Sequence, residues 1–273
     1  CIQLLGSQND MATIRLWHYF SADRYGLPMR HLCQPCSWSH RIAQKRSISK
    51  RVNNNMILEL SHVTKKIKGV TVLDDISLSL SSGHIYGIKG KNGSGKTMLM
   101  RAIAGLIRLS DGSVVWDGKV LHKDISSPES IGVLIENPAF LPGYTGRKNL
   151  ELLASLKGGT PWEQIDEALL AVGLDPKDRR TYRKYSLGMK QRLGIACAIM
   201  EHPKLILLDE PINAIDEKGV PQISNLLHHE KERGALIILT CHDTEELYQL
   251  ADTVIFLEEG KLCGQSKVIA LEK

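Results

Sequence analysis

Between residues 84 and 108 the chain reads as an apolar strand, a glycine-rich loop and an apolar helix, in that order. His84–Lys89 has the composition of a strand. Gly90-Lys91-Asn92-Gly93-Ser94-Gly95-Lys96-Thr97 fits G-x-x-x-x-G-K-[ST] at every fixed position. Residues 96–108 carry Met98, Leu99, Met100, Ile103, Ala104, Leu106 and Ile107, which reads as a helix. The glycines let a backbone wrap close to a phosphate chain, and the loop N–H groups with the helix N-terminus form an anion nest. Lys96 adds a point charge suited to β- and γ-phosphates, and the Thr97 hydroxyl suits Mg²⁺. A chance glycine-rich turn before a helix is the alternative, and the strand–loop–helix context argues against it.

A second acidic site lies downstream. Leu205-Ile206-Leu207-Leu208 is an apolar strand that ends in Asp209-Glu210. A central strand can deliver Asp209 to a metal at the carboxyl edge of a sheet. Successive strand side chains point opposite ways, so Asp209 and Glu210 need not share a role. An acidic strand cap before the Pro211 turn would explain the pair equally well if the phosphate loop were absent.

The rest of the pattern fits a buried parallel sheet. Short apolar runs at 205–208, 235–239 and 253–257 are separated by helix-length segments. Residues 56–60 and 71–80 read as strands, and Asp117-Gly118 and Glu258-Glu259-Gly260-Lys261 as hairpin turns. Residues from about 143 to 200 are mostly helical. There is no internal repeat and no run of about 18 apolar residues.

Charge excludes a general nucleic-acid footprint. The chain of 273 residues has a net charge of +5, but the first 55 residues hold eight basic against two acidic side chains. The other 218 hold 27 basic and 28 acidic ones, a nearly neutral body. Six cysteines are too few for a disulfide scaffold of this size. Cys33-x-x-Cys36 with His31 and His40 could be half of a zinc site, but the second ligand pair is missing.

With these pieces in place, residues 56–273 resemble the nucleotide-binding subunit of an ABC transporter. The most specific element is Tyr185-Ser186-Leu187-Gly188-Met189-Lys190-Gln191-Arg192, which is similar to the family's signature motif and starts its Ser186 23 residues before Asp209. Physically, Ser186 and Gly188 can offer a hydroxyl and N–H groups at a helix N-terminus, a second anion site; a Ser-capped surface helix is the bland alternative. The resemblance implies an α/β fold: a P-loop NTPase core with a mainly parallel sheet, an antiparallel β subdomain and a helical subdomain at about 140–200. It implies ATP and Mg²⁺ as cofactors, with the loop 90–97, Ser186, Gly188 and Asp216 at the nucleotide. Thr97, Asp209 and Glu136 would be at the metal. Glu210 would be the general base and His242 the residue that senses the γ-phosphate. Asn213-Ala214-Ile215-Asp216 looks like the D-loop, which in the family crosses a dimer interface.

Three positions depart from the family pattern. Glu136 stands where the family usually has Gln; a carboxylate can still give an oxygen to Mg²⁺, and it adds negative charge near Asp209 and Glu210. Ile67 falls near the place of the adenine-stacking aromatic, and His84 stands where the family commonly has Glu. Glu136 together with residues 185–196 looks most like subunits that export bacitracin, lantibiotics or similar peptides.

The expected function is therefore an ATP-binding and hydrolysing subunit that powers a separate membrane permease, with export of or resistance to an antimicrobial peptide as the specific role. The expected partners are that permease and a second copy of the chain, with no direct nucleic acid, and the place is cytoplasmic, peripheral on the inner face of the membrane. The alternative is a soluble ABC protein acting on nucleic acid or the ribosome; one cassette and a neutral body argue against it. A catalytically weak nucleotide sensor is opposed by the intact Lys96, Asp209, Glu210 and His242. Residues 1–55 fit no domain pattern, and pattern and charge both change at Met56. The expectation is that Met56 is the natural start, a basic arm for lipid or nucleic acid being the alternative.

Overall fold

The computed structural model of the chain describes residues 57–136, 138–156, 158–241 and 244–268. Residues 1–55, Met56 and His242 lie outside the described residues, and so do the readings that rest on them.

Among the described residues, ten strands form two sheets. Ile57–Ile67 (β1), Val70–Ser81 (β2), Asp111–Trp116 (β4) and Lys119–Val120 (β5) make an antiparallel sheet in the order β2-β1-β4-β5. His84–Lys89 (β3), Ile131–Leu134 (β6), Leu205–Leu208 (β7), Leu236–Thr240 (β8), Thr253–Glu258 (β9) and Lys261–Lys267 (β10) make the second, in the order β10-β9-β3-β8-β7-β6. Within it β9, β3, β8, β7 and β6 run parallel, and β10 joins β9 as an antiparallel edge. The helices are Lys96–Ile103 (α1), Gly146–Ser155 (α2), Trp162–Ala171 (α3), Leu187–Ile199 (α4), Val220–Glu232 (α5) and Thr244–Leu250 (α6).

Strand alternation explains how the layers separate. Leu205 and Leu207 of β7 and Leu236 and Ile238 of β8 pack in one core with α1 and the antiparallel sheet. Ile206, Leu208, Ile237 and Leu239 face the other core, which holds Leu150 of α2, Ile165 of α3, Ile195 of α4 and Ile223 of α5. Both faces of the parallel sheet are covered, which is why β7 is apolar at every position and β8 at every position before Thr240. The expected α/β architecture is present: a mainly parallel core, an antiparallel sheet and a helical region between β6 and β7.

Two boundaries differ from the sequence reading by several residues. The helix after the phosphate loop ends at Ile103 rather than 108. Gly105 takes φ +73°, its N–H reaches the Ala102 carbonyl, and Leu106 N–H reaches the Arg101 carbonyl. These paired bonds close a Schellman cap, which satisfies the last carbonyls and stops the helix. The first strand runs on to Ile67 because irregular pairings with β2 and β4, shifted in register between Leu60 and Lys66, let it bend without ending.

The register sets the site. Leu134, Leu208 and Leu239 lie level across β6, β7 and β8, and Ile88 of β3 lies level with Thr240. Four carboxyl ends therefore meet at one sheet edge, where the loop 90–95 and the Asp209-Glu210 pair both emerge.

Candidate nucleotide site

The phosphate loop is built tightly. A Cβ on Gly90 would stand 2.2 Å from the Leu257 carbonyl and 2.4 Å from Ser94 Oγ, so no side chain fits there. Ser94 N–H donates to the Lys91 carbonyl at 3.0 Å, and Gly260 N–H donates to the Ser94 carbonyl at 3.0 Å. Lys96 is buried, and its ammonium donates to the carbonyls of Gly90 (2.6 Å) and Lys91 (3.1 Å), which holds the charge inside the loop. The Ser94 hydroxyl is the buried side-chain oxygen that lacks a hydrogen-bond partner among the described residues. A buried hydroxyl costs free energy unless something pairs with it. A loop with Lys96 at its centre and that hydroxyl beside it fits an anionic, oxygen-rich group such as a phosphate chain. Lys91, Asn92 and Gly93 are exposed at the loop's tip, and Gly95 leads into α1.

Asp209 is fixed from two sides. Thr97 Oγ1 donates to Asp209 Oδ2 at 2.7 Å, and Thr240 Oγ1 donates to Asp209 Oδ1 at 2.6 Å. The Asp209 N–H is held by the Leu134 carbonyl at 2.7 Å. A hydroxyl and a carboxylate so close are hard oxygen donors of the kind that suits Mg²⁺.

Glu210 leaves the strand direction at once. Its φ of +53° is left-handed, which costs a non-glycine residue about 1–2 kcal/mol. Hydrogen bonds hold it there. Its N–H donates to Thr240 Oγ1 at 3.0 Å, its carbonyl accepts from Gln191 Nε2 at 2.9 Å, and its Oε2 accepts from Asn213 Nδ2 at 3.3 Å. Asp209 and Glu210 are thus presented differently by the backbone, which allows separate roles.

Glu136 is also left-handed, with φ +63°, and is exposed. Its Oε1 accepts from Arg101 Nη2 of α1 at 2.5 Å. The added carboxylate thus brings a counter-charge from the helix that follows the phosphate loop.

The signature residues form a second group. Ser186 caps α4, its Oγ accepting from Met189 N–H at 3.2 Å. A Cβ on Gly188 would lie 2.6 Å from the Ala214 carbonyl, so this glycine lets the 213–216 loop approach the helix start. Arg192 Nη2 donates to Asp216 Oδ1 at 2.8 Å, while Nη1 donates to the Val172 carbonyl at 2.7 Å. The structure therefore brings Thr97, Lys96, Asp209 and, through Thr240, Glu210 together. Ser186, Gly188 and Asp216 are gathered around α4, joined to Glu210 by the Gln191 bond. Ile67 sits partly exposed at the β1–β2 hairpin, and His84 Nδ1 is 3.2 Å from the Ser82 carbonyl.

Thr240, Arg101, Gln191 and Arg192 are the residues that sequence reasoning did not single out for a role. Only the last two carried a signal, since they lie inside the quoted signature segment.

Residues 73–213 match the family described as "ABC transporter". The chain is 48% identical over 213 residues to the uncharacterized ABC transporter ATP-binding protein YybJ of Bacillus subtilis (strain 168), covering 78% of this chain and 98% of the relative. It is 39% identical over 219 residues to the bacitracin transport ATP-binding protein BcrA of Enterococcus faecalis, covering 80% of this chain and 71% of the relative. Among solved structures it resembles the dimeric, post-hydrolysis ATP-binding cassette MJ0796 bound to ADP and Pi. That likeness has a TM-score of 0.71 at 25% identity, over 78% of this chain and all of the other. The phosphate loop, the Asp209-Glu210 pair and these likenesses agree, and the chain belongs to the ABC transporter family as an ATP-binding, ATP-hydrolysing cassette.

Proposed function

We propose that this chain hydrolyses MgATP as one of two identical subunits and so drives a separate membrane permease that moves a peptide antibiotic or a similar molecule. The observation that carries the nucleotide part is the contact between Thr97 and Asp209, 112 residues apart in sequence and 2.7 Å apart in space. It joins the phosphate loop to the acidic strand end.

In this reading the N–H groups of residues 90–97 and the Lys96 ammonium hold the β- and γ-phosphates. Thr97 and Asp209 would hold Mg²⁺, with Glu136 as a further oxygen donor. Bound there, the metal supplies positive charge against the phosphates. Glu210 takes the proton of the attacking water or orients it, with Asn213 steadying one of its oxygens. His242, two residues beyond Thr240, takes the γ-phosphate role. Ser186 and Gly188 of a second copy complete the site, with Asp216 at the boundary between copies. No helix among the described residues is long and apolar enough to cross a membrane, which fits a separate permease and a place on the inner membrane face. The name of the bacitracin transport relative supports a peptide antibiotic as cargo. It favours transport over action on nucleic acid or the ribosome, and the nearly neutral body of the chain does the same.

The test is Lys96→Ala in the full chain. It removes a charge-assisted contact worth about 1.5–3 kcal/mol. ATP binding should weaken and hydrolysis should nearly cease. Turnover near that of the parent, with or without the permease, would contradict the assignment.

A further inference from the structure

The segment that leaves Glu136 is strapped to the segment that enters the signature helix. Tyr182 N–H donates to the Tyr144 carbonyl at 2.8 Å and Arg183 N–H to the Pro142 carbonyl at 3.1 Å. The Phe140 ring meets Tyr182 edge-on, with centroids 5.3 Å apart. Tyr182 Oη donates to the Pro138 carbonyl at 2.6 Å, two residues beyond Glu136. The same ring has Lys190 Nζ of α4 at 5.2 Å from its centroid.

We propose that Tyr182 is a positioning residue whose hydroxyl, bonded to Pro138, fixes where Ser186 and Gly188 stand relative to Glu136 and the phosphate loop, and so assists the ATP-driven pairing of two copies. The path is continuous. Arg101 on α1 holds Glu136, Pro138 follows by two residues, and Tyr182 bonds Pro138 while lying four residues before the α4 cap. Tyr182 is 8% exposed, and burial pushes its phenol up, so the hydroxyl stays a donor at neutral pH. The backbone bonds and the ring contacts do not use the hydroxyl. The Tyr182→Phe change therefore removes one link and leaves the strap's other contacts in place. The loosened helix start must then be ordered when the copies meet, which weakens pairing without touching the phosphate loop.

This inference rests on the reading that Ser186 and Gly188 meet the nucleotide of a second copy. The experiment uses the full chain carrying Glu210→Gln, so that ATP persists, and follows dimer formation against MgATP by analytical ultracentrifugation. Binding of a fluorescent ATP analogue is measured at a protein concentration that keeps the chain monomeric. Adding Tyr182→Phe should raise the MgATP concentration for half-dimerisation about three- to tenfold, the range of one lost hydrogen bond, with analogue binding unchanged. Ile165→Val, in the buried core of the same helical region, removes one buried carbon and none of the strap's hydrogen bonds, and should leave dimerisation as in the parent. Unchanged dimerisation in Tyr182→Phe, or an equal shift in Ile165→Val, would overturn the role of Tyr182. A Glu210→Gln parent that binds ATP but never dimerises would overturn the paired-subunit reading, and this inference with it.

Discussion

The Thr240 hydroxyl donates to Asp209 Oδ1 at 2.6 Å and in turn accepts the Glu210 N–H at 3.0 Å. One side chain at the end of β8 therefore sets the direction of a carboxylate and the backbone of the acid that follows it. The Thr240→Val substitution keeps the β-branched shape and deletes the hydroxyl. It leaves an Asp209 oxygen and the Glu210 N–H without this partner, at a cost of about 1–3 kcal/mol. The melting temperature should fall, and MgATP turnover should drop about tenfold or more, since 1.4 kcal/mol is a factor of ten. Turnover equal to the parent would show that neither acid depends on Thr240.

Glu136→Gln replaces the carboxylate that Arg101 holds. The pair is half open to water, with Glu136 61% exposed, so its loss should change stability by at most about 1 kcal/mol. ATPase activity should be retained, with a shifted dependence on Mg²⁺. Abolished turnover would assign Glu136 a chemical part that an amide cannot play.

Asp252 ties the β9 entry to β3 and α5. Its Oδ2 accepts the Ile85 N–H at 2.9 Å and its Oδ1 accepts from Lys231 Nζ at 2.9 Å. Burial pushes this carboxyl up, but the Ile85 N–H and the Lys231 ammonium together outweigh it and hold the group below its ordinary value. A depressed folded-state value gives stability that is present above the unfolded carboxylate value near ~4 and is lost as the pH falls through the folded one. Asp252→Asn should therefore cost about 1–2 kcal/mol at pH 7 in denaturant unfolding, and the gap from the parent should close below about pH 4. A gap that stays constant down to pH 3 would show that the charge of Asp252 is not the source of the difference.

The phosphate loop and the strand ending in Asp209-Glu210 were legible because each is local: a fixed spacing or an apolar run with acids at its end. Strand limits such as His84–Lys89 and Leu205–Leu208 were legible for the same reason. Thr240 was not, since its role depends on β7 and β8 pairing in parallel with Leu208 level with Leu239, a register no short motif encodes. The Arg101–Glu136 pair likewise joins residues 35 apart that only the folded sheet and α1 bring together. The early end of α1 was encoded locally by Gly105, but the apolar residues Leu106 and Ile107 carried the helical pattern past it and hid the stop.

In the function proposed above, Glu210, directly after the acid bound by Thr97, performs hydrolysis in a pair of copies. Glu210→Gln keeps the polar shape and removes the basicity. Turnover of MgATP by the full-length variant, read beside its size on a gel-filtration column with and without MgATP, tests this most directly. ATP should still bind, hydrolysis should be nearly lost, and the ATP-bound variant should elute as a dimer. A variant that elutes as a monomer and hydrolyses ATP at the parent's rate would contradict it.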